Sequence, residues 1–143
     1  MNQSGLNILL VDDDDIYQFI CSRAIQSTGY AQKIITLSNG EDAVEFLKNN
    51  IHNSENLPDI IFLDVNMPYM NGWDFLEAFN TIKPAINKKI AIYMVSSSVD
   101  ETDIHHSREF NNVAEYIVKP LAIEKFKEIF SASMPGNFSH TIN

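Results

Sequence analysis

A chain of 143 residues, 45% hydrophobic and 20% charged, has the apolar content and length of one globular domain and excludes a fibrous or disordered protein. Its formal charge of −9 disfavours phosphate backbones and anionic lipid, and the pair Lys88-Lys89 is expected to be a solvated turn, so no direct nucleic-acid binding is expected. A single cysteine, Cys21, excludes an internal disulfide or a thiolate metal site, and without a leader pattern or a bilayer-length apolar run the expected location is cytoplasmic, with no membrane contact.

The first strand is expected at 8–11, where Ile8-Leu9-Leu10-Val11 runs into Asp12-Asp13-Asp14-Asp15. Asp15 can cap a helix whose apolar positions Ile16, Phe19, Ile20 and Ala24 recur at helical spacing up to Gly29, with Cys21 packed in the core. A second strand spans 33–37, and Gly40 turns the chain into a helix with Ala43, Val44, Phe46 and Leu47 on one face. The polar stretch 49–56 and Pro58 lead to a third strand, 60–63, that stops at Asp64. The loop 65–72 is too long for a simple turn, and loops of this kind carry function.

Helix three is expected from Trp73 to about Lys83, stopped by Pro84, and strand four from Ile90 to Val95, stopped by Ser96. Helix four, from Asp100 to about Phe110, has few apolar positions; strand five is 116–118, stopped by Lys119. Helix five, 123–130, carries the stripe Ile123, Phe126, Ile129 and Phe130, and the remaining tail is polar. Strands alternating with helices predict an α/β fold: a doubly wound, five-stranded parallel sheet with helices on both faces.

Parallel strands place their carboxyl ends along one edge, where ligands of open α/β sheets bind. Asp12, Asp13, Asp64, Ser96 and Lys119 would then meet in one pocket. Two carboxylates about 4 Å apart repel by roughly 4 kcal/mol at an effective dielectric near 20, so such a cluster holds a cation or raises a pKa. A divalent metal with a phosphoryl group satisfies every member.

Four motifs in this order, Leu10-Val11-Asp12-Asp13, Phe62-Leu63-Asp64-Val65-Asn66-Met67-Pro68 with Gly72, Met94-Val95-Ser96-Ser97 and Tyr116-Ile117-Val118-Lys119-Pro120, resemble the receiver domain of two-component response regulators. The resemblance covers 8–130 and implies a flavodoxin-like strand order 2-1-3-4-5, with one receiver domain over 1–143, a core of about 6–131 and a tail of about 132–143. It implies a stand-alone phosphorylation switch rather than a turnover enzyme, with Asp64 as phosphoacceptor. Mg2+, with Mn2+ as a possible substitute, would be bound directly by Asp13, Asp64 and the backbone carbonyl of Asn66, and by Asp12 through water. Lys119 would pair with Asp64 and then with the phosphoryl group, a cis bond is expected before Pro120, and Ser96 and Tyr116 would be the switch residues. Ser97 is small enough to admit a phosphohistidine, and Asn66 and Ser98 would tune the acyl phosphate's lifetime.

The implied donor is a histidine kinase or histidine phosphotransfer protein, and the implied readout is a downstream protein docking on helix four, strand five and helix five. Ile104, His105 and His106 are expected in that contact, and the implied oligomeric state is a monomer or weak dimer. The long 49–56 loop and the lack of a glycine in Phe110-Asn111-Asn112-Val113 depart from the family pattern away from the pocket. Two alternatives stay open. A haloacid-dehalogenase-type phosphatase would use Asp12 and Asp14, but it needs a later acidic pair, where only Glu124 and Glu128 occur. A receiver-like binding module would not react at all.

Overall fold

The computed structural model describes residues 5–134. Five parallel strands form one sheet in the order β2-β1-β3-β4-β5: β1 (Leu6–Val11), β2 (Ala31–Leu37), β3 (Ile60–Asp64), β4 (Ala91–Ser96) and β5 (Val113–Val118). The helices are α1 (Asp15–Thr28), α2 (Gly40–Asn49), α3 (Gly72–Ile82), α4 (Glu101–Ser107) and α5 (Ile123–Ser133). No helix among the described residues is long and apolar enough to cross a membrane.

The central strands are apolar at successive positions because both faces are covered. Leu9, Val11, Ile61 and Leu63 pack under α2 and α3 with Ala43, Leu47, Phe75, Leu76 and Phe79. Ile8, Leu10, Ile60 and Phe62 pack on the other face under α1 and α5 with Cys21, Ile25, Phe126, Ile129 and Phe130. Phe62 meets the Phe126 ring edge-on at 5.3 Å, a pairing that adds about 1 kcal/mol to the area it buries.

Several sequence expectations need correction. The cap of α1 is Asp14, whose carboxylate accepts from the N–H groups of Ile16 and Tyr17, rather than Asp15. That cap sets the rotational phase of the helix, which turns Gln18, Cys21 and Ile25 inward and leaves Ile16, Phe19 and Ile20 74%, 63% and 59% exposed. Gln18 is buried with its amide donating to the carbonyls of Asp12 and Leu37, both at 2.7 Å, which satisfies the side chain out of water.

The remaining adjustments follow similar logic. Lys88 is no solvated residue: its ammonium donates to the carbonyls of Ser54 and Leu57 and pairs with Asp59 at 3.4 Å, and Asn7 donates to Glu55 and Leu57 from the sheet, so the 49–56 loop is tied down. α3 starts at Gly72 through a capping box of Asn71 and Asp74, and Pro84 sits in a following 3-10 turn. Asp100 caps α4, which stops at Ser107, short of the expected Phe110. Strands two and five begin earlier than expected, since ladder bonds continue beyond the apolar run. α5 continues to Ser133, which makes the first residues of the expected tail helical, while Ile123 is 40% exposed; residues 135–143 lie outside the described residues.

Candidate functional site

The strand register assembles the pocket. Val11 of β1 is level with Leu63 of β3, so the chain delivers Asp12 and Asp64 side by side as the strands end. Asp64 is level with Val95 and Ser96 with Val118, and the Lys119 N–H donates to the Ser96 carbonyl at 2.8 Å, which carries the same edge across β4 and β5. The Lys119-Pro120 peptide is cis, as the motif led one to expect.

One carboxylate oxygen from each of Asp12, Asp13 and Asp64 lies within 4.8 Å of the others, with Asp12 and Asp64 buried and Asp13 exposed. Three converging carboxylate oxygens with one open side suit a hard, oxygen-liganded divalent cation. Lys119 lies beside two of them, its Nζ 2.9 Å from Asp12 Oδ2 and 3.6 Å from Asp64 Oδ1. Asp12 Oδ1 also accepts from the Asp14 N–H, so both oxygens of Asp12 are engaged.

The electrostatics follow from this crowding. Burial, then the neighbouring Asp12 charge, push the Asp64 carboxyl up to about 6, against the opposing pull of Lys119 and of the Asn66 backbone N–H. Burial opposes the Lys119 charge, but its bonds to Asp12 and the pull of Asp64 outweigh that and hold its pKa above the ordinary lysine value. Burial pushes the Cys21 thiol up, which suits a packed side chain rather than a reactive one.

Ser96 is fully buried at the end of β4, and its Oγ accepts from the Ser98 N–H at 3.0 Å. Tyr116 of β5 donates its hydroxyl to the Ser98 carbonyl at 3.1 Å. Both expected switch residues therefore grip Ser98, whose joining role the sequence had not revealed. Ser97, between them, is exposed. Sequence reasoning also missed Tyr17, whose ring lies beneath the Lys119 ammonium with Nζ 4.2 Å from its centroid; its spacing of four from Cys21, on the inward side of α1, was the available signal. His106 is half-buried, its ring stacked on Trp73 of α3 with centroids 4.1 Å apart, so it is partly spoken for within the molecule.

Gly72 supports the acceptor strand directly. A Cβ there would meet the Asp64 carbonyl oxygen at 2.9 Å, the Val65 Cα at 2.9 Å and the Met94 Cε at 3.0 Å. Gly72→Ala is expected to destabilise the protein by about 1–3 kcal/mol, because two of the three obstacles are backbone. Urea unfolding measures it, and an unchanged midpoint would refute this tight packing. In the same loop Tyr69 adopts φ 68° and is 95% exposed, an uncommon conformation for a side chain with a Cβ.

Comparison with known proteins settles the family, since the model of the response regulator receiver domain matches residues 8–131. The chain is a response regulator receiver domain. A two-component response regulator from Cytophaga hutchinsonii superposes with a TM-score of 0.80 at 30% identity, covering 90% of this chain and 97% of that one. The two-component response regulator ORR1 of Oryza sativa subsp. japonica is 30% identical over 91% of this chain and 55% of its own length. The probable methanogenesis regulatory protein FilR2 of Methanothrix harundinacea is 26% identical over 84% of this chain and 76% of its own length. The receiver domain thus spans only about half of ORR1. Receiver domains are phospho-accepting switches rather than classical enzymes, are phosphorylated by histidine kinases or phosphotransfer proteins, and bind Mg2+ at an acidic pocket.

Proposed function

We propose that Asp64 accepts a phosphoryl group from a phosphohistidine of a histidine kinase or histidine phosphotransfer protein, with Mg2+ held by Asp13, Asp64 and the Asn66 carbonyl and by Asp12 through water. Mn2+ fits the same oxygen set. The carrying observation is the meeting of three carboxylates within 4.8 Å beside the Lys119 ammonium, at the end of a strand that presents Asp64. An Asp64 oxygen forms the bond to phosphorus, the phosphorus–nitrogen bond breaks, and its electron pair stays on the imidazole nitrogen. When bound, Mg2+ supplies positive charge to the phosphoryl and carboxylate oxygens. Lys119 supplies the remaining charge, turning from Asp12 toward a phosphoryl oxygen as that oxygen arrives.

The switch follows from the hydrogen bonds on Ser98. A Ser96 hydroxyl drawn to the phosphoryl group gives up the Ser98 N–H, which releases the segment that Tyr116 also holds. Phosphorylation then favours one of two arrangements of α4, β5 and α5, the face read by a downstream partner. With His106 stacked on Trp73, Ile104 and His105 remain of the three α4 residues expected at that face. Ile16 and Ile20 are exposed on the helix that also supplies Tyr17 to the pocket.

Exposure to beryllofluoride with Mg2+ and, separately, to a small acyl phosphate followed by borohydride reduction tests this assignment. Beryllofluoride is expected to bind at Asp64, and reduction of the acyl phosphate to give homoserine at position 64 alone, both abolished by a chelator. Homoserine at position 12 would favour the phosphatase reading, and an unmodified chain would favour a non-reactive module.

A further inference from the structure

Lys119 has three neighbours, and one of them is not an acid. Its Nζ lies 2.9 Å from Asp12, 3.6 Å from Asp64 and 4.2 Å from the centre of the Tyr17 ring. Tyr17 belongs to the first turn of α1, where Asp14 accepts its N–H, and it lines a narrow apolar cleft with Asp12, Cys21, Phe62, Asp64 and Leu121. Cys21, buried one turn further along α1, lines the same cleft. The side chain therefore presents a neutral aromatic face to an ammonium largely withdrawn from water, the setting in which a cation–π contact is strongest.

We propose that Tyr17 is a positioning residue for phosphoryl uptake, its ring face holding the Lys119 ammonium at the floor of the pocket within reach of Asp64. The proposal rests on the phosphoacceptor reading above. In the cation-free pocket, Asp12 and Asp64 hold Lys119 well enough by charge. Once a divalent cation shares those carboxylates, both anionic partners are partly neutralised and a long, four-carbon side chain gains freedom. The Tyr17 face does not compete for the cation, so its attraction for Lys119 persists in the state that reacts. A leucine of similar bulk would fill the cleft without attracting the ammonium, whereas phenylalanine would retain the face and lose only the hydroxyl.

The test compares Tyr17→Leu and Tyr17→Phe in the full chain, with a small acyl phosphate as donor and Mg2+ in excess. Tyr17→Leu is expected to slow phosphorylation about three- to tenfold at an unchanged half-saturating Mg2+ concentration, and Tyr17→Phe to stay within about twofold of the unaltered chain. In a Lys119→Ala background, Tyr17→Leu should add less than about a further twofold, because the partner it acts through is gone. Full activity of Tyr17→Leu, or an undiminished loss in that background, would overturn the proposal in favour of simple packing. A second readout needs no phosphorylation: the Lys119 ε-methylene protons should show an upfield ring-current shift in the unaltered chain and in Tyr17→Phe. Absence of that shift refutes the contact even if a leucine variant fails to fold. An unaltered chain that takes up no phosphoryl group yet shows the shift would strike the acceptor reading and not the contact.

Discussion

Asp64→Asn is expected to abolish phosphoryl uptake and to make the metal-free protein more stable. The unfolded carboxyl titrates near 3.8, whereas in the folded pocket burial and Asp12 push it up to about 6. Between those values the folded state binds the proton more tightly, so metal-free stability falls as pH rises through the window and the full cost applies above it. That cost is on the order of 2–3 kcal/mol at neutral pH. Asparagine removes the charge and can donate its amide to Asp12. The variant should therefore melt several degrees higher than the unaltered chain at pH 7.5 in chelator, at roughly 3–5 °C per kcal/mol for a domain of this size, with the gap closing near pH 4. Melting curves at both pH values check the sign. A variant less stable at pH 7.5, or one that still accepts phosphoryl, would contradict the acidic-pocket account.

Lys119→Ala should have the opposite effect on stability. Removing the ammonium leaves Asp12 and Asp64, only 6% and 7% exposed, facing one another without a cation. Breaking one side of a buried charge set costs about 3 kcal/mol or more, and the deficit should grow from pH 5 to pH 8 as Asp64 ionises. Millimolar Mg2+ should restore the variant by more than it stabilises the unaltered chain, since the ion then supplies charge that the ammonium no longer does. Phosphorylation at saturating Mg2+ should still fall about a hundredfold, the usual consequence of deleting a preorganised group that meets developing charge. Equal melting temperatures in chelator would show that Lys119 does not balance the pair. Equal rates would remove it from the reaction.

The two variants probe one arrangement, and much of that arrangement was legible in advance. Asp12, Asp13, Asp64, Ser96 and Lys119 each follow an apolar run, and parallel strands buried on both faces must end on a common edge whatever their loops do. The five strands and the acidic cluster could be anticipated for that reason, and the order of the strands from the resemblance to receiver domains. The helix phases could not. Ile16, Phe19 and Ile20 form a plausible inward stripe on paper, yet α1 starts from the Asp14 cap and faces inward with Gln18, whose amide bonds the carbonyls of Asp12 and Leu37. Lys88 looks like a surface charge until the fold brings the carbonyls of Ser54 and Leu57 and the carboxylate of Asp59 to it.

Residue type and order along the chain thus determined the sheet, the strand ends and the chemistry those ends could support, because alternation and strand polarity are local and periodic. Tertiary structure alone decided which neighbours share each functional group. The choice of Tyr17 as the third neighbour of Lys119, of Ser98 as the common partner of Ser96 and Tyr116, and of Trp73 as the platform for His106 depends on contacts between separate elements. Such contacts are set by packing and by pairing polar groups out of water, and periodicity carries no record of either.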